Sequence, residues 1–117
     1  MPDFVVLFPA DNEVEWEAAS ESERQATYDA DLAFSQALKS RGGTISGGAA
    51  LAPSSAARTI TRSANGEVRV GHGPHRVSEE QLSGFFTVSC EDMDTLAEAA
   101  VDLLAGHPVI EIRLVEA

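Results

Sequence analysis

The sequence is short of the parts from which many familiar sites are built. It has one cysteine, Cys90, so it can form neither an internal disulfide nor a paired-thiol metal site. Basic residues are scarce: eight Lys and Arg stand against nineteen Asp and Glu, a formal net charge of -11. Nucleic-acid binding requires that phosphates be neutralised by cations, so a nucleic-acid partner is excluded, and anionic membranes are disfavoured on the same grounds. Arg58, Arg62, Arg69 and Arg76 are interleaved with apolar and small residues and read as solvent-facing strand positions. No apolar run approaches the roughly 18 residues of a membrane span. The opening Met1-Pro2-Asp3 has no basic region of a signal peptide, and with the lone cysteine this points to a cytoplasmic protein. There is no glycine-rich phosphate loop and no hydrolase triad order, and no cofactor is implied. Nor is there a repeat, a low-complexity tract or a linker, so residues 1–117 read as one domain.

What is present is a 44% hydrophobic chain with clear periodicities. Phe4-Val5-Val6-Leu7-Phe8, between Pro2 and Pro9, has the length and composition of a buried central strand. Residues 11–21 read as a loop or short helical lead-in, with Trp16 folding back onto the core. Ser20 and Glu23 form a capping box that opens a helix. Ala26, Ala30, Ala33, Phe34, Ala37 and Leu38 give that helix one apolar stripe, and Arg41-Gly42-Gly43 ends it. Residues 44–51 are weakly strand-like, and their glycines suggest a bulge.

Ala57 to Arg62 alternates as a strand, with Arg58, Ile60 and Arg62 on one face, and Asn65-Gly66 turns it into a return strand at Val68-Arg69-Val70. Glu79-Glu80-Gln81-Leu82 reads as a polar bridge with one helical turn, and Gly84 to Ser89 as a strand. Ser89 or Glu91 caps a second helix that carries Met93, Leu96, Ala97, Ala100, Leu103 and Leu104 and stops at Gly106. After Pro108, Ile110, Ile112 and Leu114 alternate with Glu111 and Arg113 in a last strand. This order predicts a ferredoxin-like α+β fold with two helices on one face of a mainly antiparallel sheet. Phe4, Val6, Phe8 and Phe86 exceed what a solvated sheet face carries, so a homodimer packed through the sheet face is expected.

Chemistry concentrates in Val70-Gly71-His72-Gly73-Pro74-His75, where two imidazoles sit on a stiff turn. The segment His72-Gly73-Pro74-His75, followed by Glu80-Gln81-Leu82-Ser83-Gly84-Phe85-Phe86, resembles the YCII-related family and, within it, the branch named for its Asp-Gly-Pro-Phe (DGPF) motif. Ser46-Gly47-Gly48-Ala49-Ala50-Leu51-Ala52-Pro53 is similar to that branch's Gly-Gly-x-x-Leu-x-Pro segment, and Glu111-Ile112-Arg113 to its closing Glu-Val/Ile-Arg. The resemblance implies a dimeric α/β barrel of ferredoxin-like protomers with a His–Asp pair in a cleft. In the family pattern the His lies on the first helix and the Asp opens the turn. Here Asp31 stands at the helix position and His72 at the turn, while His75 replaces the Phe and Val77 a frequent Glu.

Two functional readings follow. In the first, a swapped Asp31–His72 dyad performs acid–base chemistry on a small molecule, with His75, Arg76 and Ser46 as ligand-binding residues. In the second, the chain is a non-catalytic small-ligand, metal-binding or accessory dimer, with His72-x-x-His75 completed by His107 or Asp31 if a metal is held. Against both stands a plain reading of Gly73-Pro74 as a structural turn and of Cys90 as an inert small residue at a strand end.

Overall fold

The computed structural model describes all residues, 1–117. In chain order the elements are β1 (Asp3–Leu7), β2 (Asp11–Asn12), α1 (Glu13–Ala18), α2 (Glu21–Ser40), β3 (Thr44–Ala50), β4 (Arg58–Arg62), β5 (Val68–His72), β6 (Glu80–Gln81), β7 (Gly84–Ser89), α3 (Met93–Ala100) and β8 (Glu111–Leu114). Short 3-10 turns occupy Ser54–Ala56 and Val101–Ala105. The fold is α+β with antiparallel pairing throughout.

The main sheet has the order β3-β7-β1-β8, with the apolar N-terminal strand inside it. Register places Phe4 opposite Val88 and Leu114, and Val6 opposite Phe86 and Ile112, so these side chains share a face. Against that face α2 lays Phe34 and Leu38 and α3 lays Leu96 and Ala100, and all of them are buried in one cluster. The capping box forms as the sequence predicts: Ser20 Oγ accepts from the Glu23 amide at 3.2 Å and Glu23 Oε1 from the Ser20 amide at 3.2 Å. Gly42 ends α2 at φ +82°, a conformation that costs glycine little, and Gly43 donates back to the Leu38 carbonyl. The predicted bulge lies between Ile45 and Gly47, and Cys90 is fully buried in the core.

Several expectations change. Phe4, Val6 and Phe8 are covered by this chain's own helices, so they are not surface for a second subunit to cover. The other face carries Val5, Leu7, Phe85 and Thr87, all only partly buried, and one chain by itself leaves its sheet open rather than closed into a barrel. Glu80-Gln81 is not a helical turn but a short strand pairing with Asp11-Asn12, because the chain passes beside the end of β1. Asp92, not Ser89 or Glu91, caps α3, accepting from the Thr95 amide at 2.8 Å; the Ser89 hydroxyl is occupied with Asp3. Trp16 stays out of the core. It lies edge-on to Tyr28 with the Arg24 guanidinium 5.2 Å above its ring.

β4 and β5 form a separate two-stranded ribbon that pairs only with itself. The radius of gyration is 16.3 Å, against about 13 Å for a compact chain of this length. The ribbon stands away from the body.

Phe34 is fully buried between the sheet and α3, so Phe34→Ala is expected to cost about 3–5 kcal/mol. Urea unfolding should show a lowered midpoint with an unchanged slope.

Candidate functional site

The most charged buried contact in the chain is built by the end of the α3 segment. After Ala100 the helix tightens into the Val101–Ala105 turn, and both Gly106 and His107 donate their amides to the Leu103 carbonyl at 3.0 Å. Gly106 lies directly on α2: a Cβ there would come within 2.8 Å of Thr27 Cα and 3.2 Å of Ala30 Cβ. Only a residue without a side chain lets the turn seat this closely. Pro108 then directs the chain away toward β8.

That seating drives His107 between the end of β1 and α2. Its ring stacks on Phe8, with centroids 3.8 Å apart and planes at 6°, and the residue is only 5% exposed. Nδ1 lies 2.7 Å from Asp11 Oδ2, and Nε2 lies 3.0 Å from Asp31 Oδ1. Carboxylates only accept, so the ring donates from both nitrogens and is held as an imidazolium. Burial alone pushes the His107 pKa down. The hydrogen bonds it donates to Asp11 and Asp31, reinforced by their charges, outweigh it and raise the value from 6.5 to about 9. Asp11 Oδ2 also accepts from the Ser83 hydroxyl at 2.6 Å, whereas Asp11 Oδ1 is buried with no partner.

These residues border an open cleft of about 1020 Å³. Phe8, Phe85, Phe86 and His107 line it together with Asp31, whose side chain is 29% exposed. Glu13, Glu15, Glu17 and Glu23 also border it, and besides the His107 imidazolium its one cation is Arg24. Arg24 is already spent on the Trp16 carbonyl at 2.8 Å. Glu13 braces the wall by accepting from the Ser54 amide at 2.7 Å and from the Ser54 hydroxyl. The cleft therefore favours cations and hydrogen-bond donors.

Of the residues singled out from sequence, Asp31 and His107 border this cleft, and His72, His75, Arg76 and Ser46 do not. The imidazole that Asp31 meets is His107, not His72: no hydrogen bond joins Asp31 to His72. The reason is the topology, which seats α2 against the sheet but carries His72 off on the separate ribbon, opposite Arg58. Gly73 adopts φ +101° as a turn glycine, and its carbonyl accepts from Thr59 Oγ1 at 2.9 Å. His75 and Arg76 are exposed in the loop that follows. Ser46 sits at the β3 bulge, where its hydroxyl bonds Thr87 Oγ1 at 3.0 Å. No three His, Cys, Asp or Glu side chains are grouped to hold a metal ion. Asp11 and the central place of His107 were not foreseen. The available signal was Gly106-His107-Pro108, a histidine pinned between a close-approach residue and a helix terminator.

Residues 4–117 match the model of the YCII-related domain. The chain belongs to the YCII-related family. An uncharacterised protein of Rhizobium meliloti (strain 1021) is 36% identical over 78 residues, which cover 67% of this YCII-related chain and 62% of that protein.

The raised His107 pKa has a defined sign. Its stabilisation is complete below pH 6.5, declines as pH rises, and is lost above about 9. Urea unfolding should lose about 3 kcal/mol across that window in the wild type, a loss absent from His107→Leu. Gly106→Ala, which forces the turn off α2, is expected to cost about 1–3 kcal/mol. An NMR titration of that variant should place the His107 pKa closer to 6.5 than in the wild type.

Proposed function

We propose that this YCII-related protein is an acid–base enzyme acting on a small amine- or hydroxyl-bearing molecule in the acidic cleft, with Asp31 as the proton-transfer group. The observation that carries this is the position of Asp31: one oxygen is fixed by a buried imidazolium, the other accepts no hydrogen bond from the chain, and the side chain borders a cleft rimmed by acids. His107 is a positioning residue. Its charge holds the Asp31 carboxylate in one orientation, and its second bond to Asp11 anchors the ring to the start of β2. His72 enters this reading only by approach from another chain, because it lies outside the cleft of its own. His75, Arg76 and Ser46 are likewise left without a part in a ligand site within one chain.

The assembly proposed is a cytoplasmic homodimer of ferredoxin-like protomers from the DGPF branch, paired through the open sheet face. The strand order with both helices on one side, the partly buried Val5, Leu7 and Phe85 on the other, and the His72-Gly73-Pro74-His75 turn support it. The competing reading is a non-catalytic binder of small cations, which the acidic rim also favours.

The two readings separate in one experiment. Small amines and hydroxy compounds are screened by NMR shift perturbation, and each binder is assayed for turnover. Catalysis predicts turnover reduced about 10²–10⁴-fold in Asp31→Asn with binding retained. Binders that are never turned over by the wild type leave only the non-catalytic reading, and the absence of any cleft shifts removes both.

A further inference from the structure

The ribbon of β4 and β5 is the one part of the chain whose construction the fold leaves unexplained. A two-stranded ribbon in water is marginal without something to pack on, and this one pairs with no other strand and makes no extensive contact with any helix of its own chain. Cross-strand pairing puts Arg58 with His72, Ile60 with Val70, and Arg62 with Val68 on one face. Every one of these six residues is exposed, with Ile60 at 70%, Val68 at 60% and Val70 at 58%. An aliphatic strip flanked by cations is thus presented to solvent.

Charge is divided in the same way. Residues 54–78 hold four of the eight basic residues and one of the nineteen acidic ones, a net +3. The remainder of a -11 chain therefore carries -14. The cleft that needs a cover is lined by aromatic rings and rimmed by Glu13, Glu15, Glu17 and Glu23, and none of the ribbon's residues borders it in the same chain. An apolar, cationic arm and an aromatic, anionic cleft are complementary, and both are unmatched within one molecule.

We propose that the β4–β5 arm of one copy closes the acidic cleft of a second copy, and the reverse, so that each site is completed by the partner's arm. The occupant is this chain itself: the surface that best matches the arm in charge is the body of an identical molecule, and two arms repel each other. The closure brings the Arg58 and His72 face of the arm toward the Asp11–His107–Asp31 cluster of the other copy. A sheet-face dimer alone supplies no such residue to the cleft.

Trp16, the only tryptophan, borders the cleft and reports on its cover. Sedimentation should give twice the chain mass at low salt. Raising salt from about 0.1 M to 1 M shortens the Debye length from about 10 to 3 Å and should weaken any arm-dependent association at least ~10-fold. In parallel, acrylamide quenching of Trp16 should increase. An arm-reversed chain (Arg58→Glu with Arg62→Glu) and a cleft-reversed chain (Glu15→Lys with Glu17→Lys) should each show more quenching than the wild type. Mixed together they should recover protection, because each arm then meets a cleft of opposite charge. Circular dichroism and unfolding midpoints of both variants verify that they fold.

A wild-type monomer overturns the proposal. So does a dimer in which Trp16 is quenched equally in all chains, or a mixture that fails to regain protection. Protection that requires an added polyanion overturns it as well, since the arm would then serve a nucleic-acid-like partner. These readouts need no substrate, so they fail or succeed separately from the acid–base reading.

Discussion

His107 couples three segments that are remote in sequence: β2 through Asp11, the middle of α2 through Asp31, and the end of the α3 segment that carries the ring itself. A buried cation is expensive unless every donor is satisfied, and here two carboxylates satisfy both nitrogens while Phe8 covers one face of the ring. The cost of the arrangement lies elsewhere, in Asp11 Oδ1, which is buried without a partner. The same contact that fixes the helix layer against the sheet also fixes the orientation of a carboxylate at the cleft wall. Structural and chemical roles share one interaction.

Local signals in the sequence specify most of the elements. The continuous apolar run Phe4–Phe8, the Ser20–Glu23 capping box, the Ala30–Phe34–Leu38 stripe and the glycines that end α2 and bulge β3 each act through neighbours a few residues away. What they leave undetermined is which distant side chains meet. Asp31 and His107 are 76 positions apart, and Asp11 and His107 are 96 apart. Their meeting depends on how closely Gly106 approaches Thr27, a distance no periodicity encodes. Asp31 is a candidate from the sequence through the family resemblance, which sets it at the helix position and points to His72 in the histidine-rich turn as its partner. The two-residue strand β6 escaped for a related reason: a strand that short has no alternation to read.

The motif that the sequence resembles has an imidazole on the first helix and a carboxylate at the turn. In this chain the helix position is Asp31, and the imidazole comes from the segment before the last strand. The contact observed joins the same two residue types, a carboxylate and an imidazole, through a different histidine. The His72 turn belongs to a cationic ribbon, whose positive charge an Asp at position 72 would lower.

The order β3-β7-β1-β8 has a further consequence for how the chain is made. β1 is made before the strands it pairs with, which lie far along the chain: Asp3 pairs with Ser89 and Phe4 with Leu114. β1 has no strand partner until β7 at Gly84–Ser89 has been made, whereas α2 and the β4–β5 ribbon are built from contacts between residues close in sequence. Closure of such long loops before any packing is gained slows folding. The apolar Phe4-Val5-Val6-Leu7-Phe8 segment is therefore the part of the nascent protein that waits longest for cover, and the part most open to a chaperone while it does.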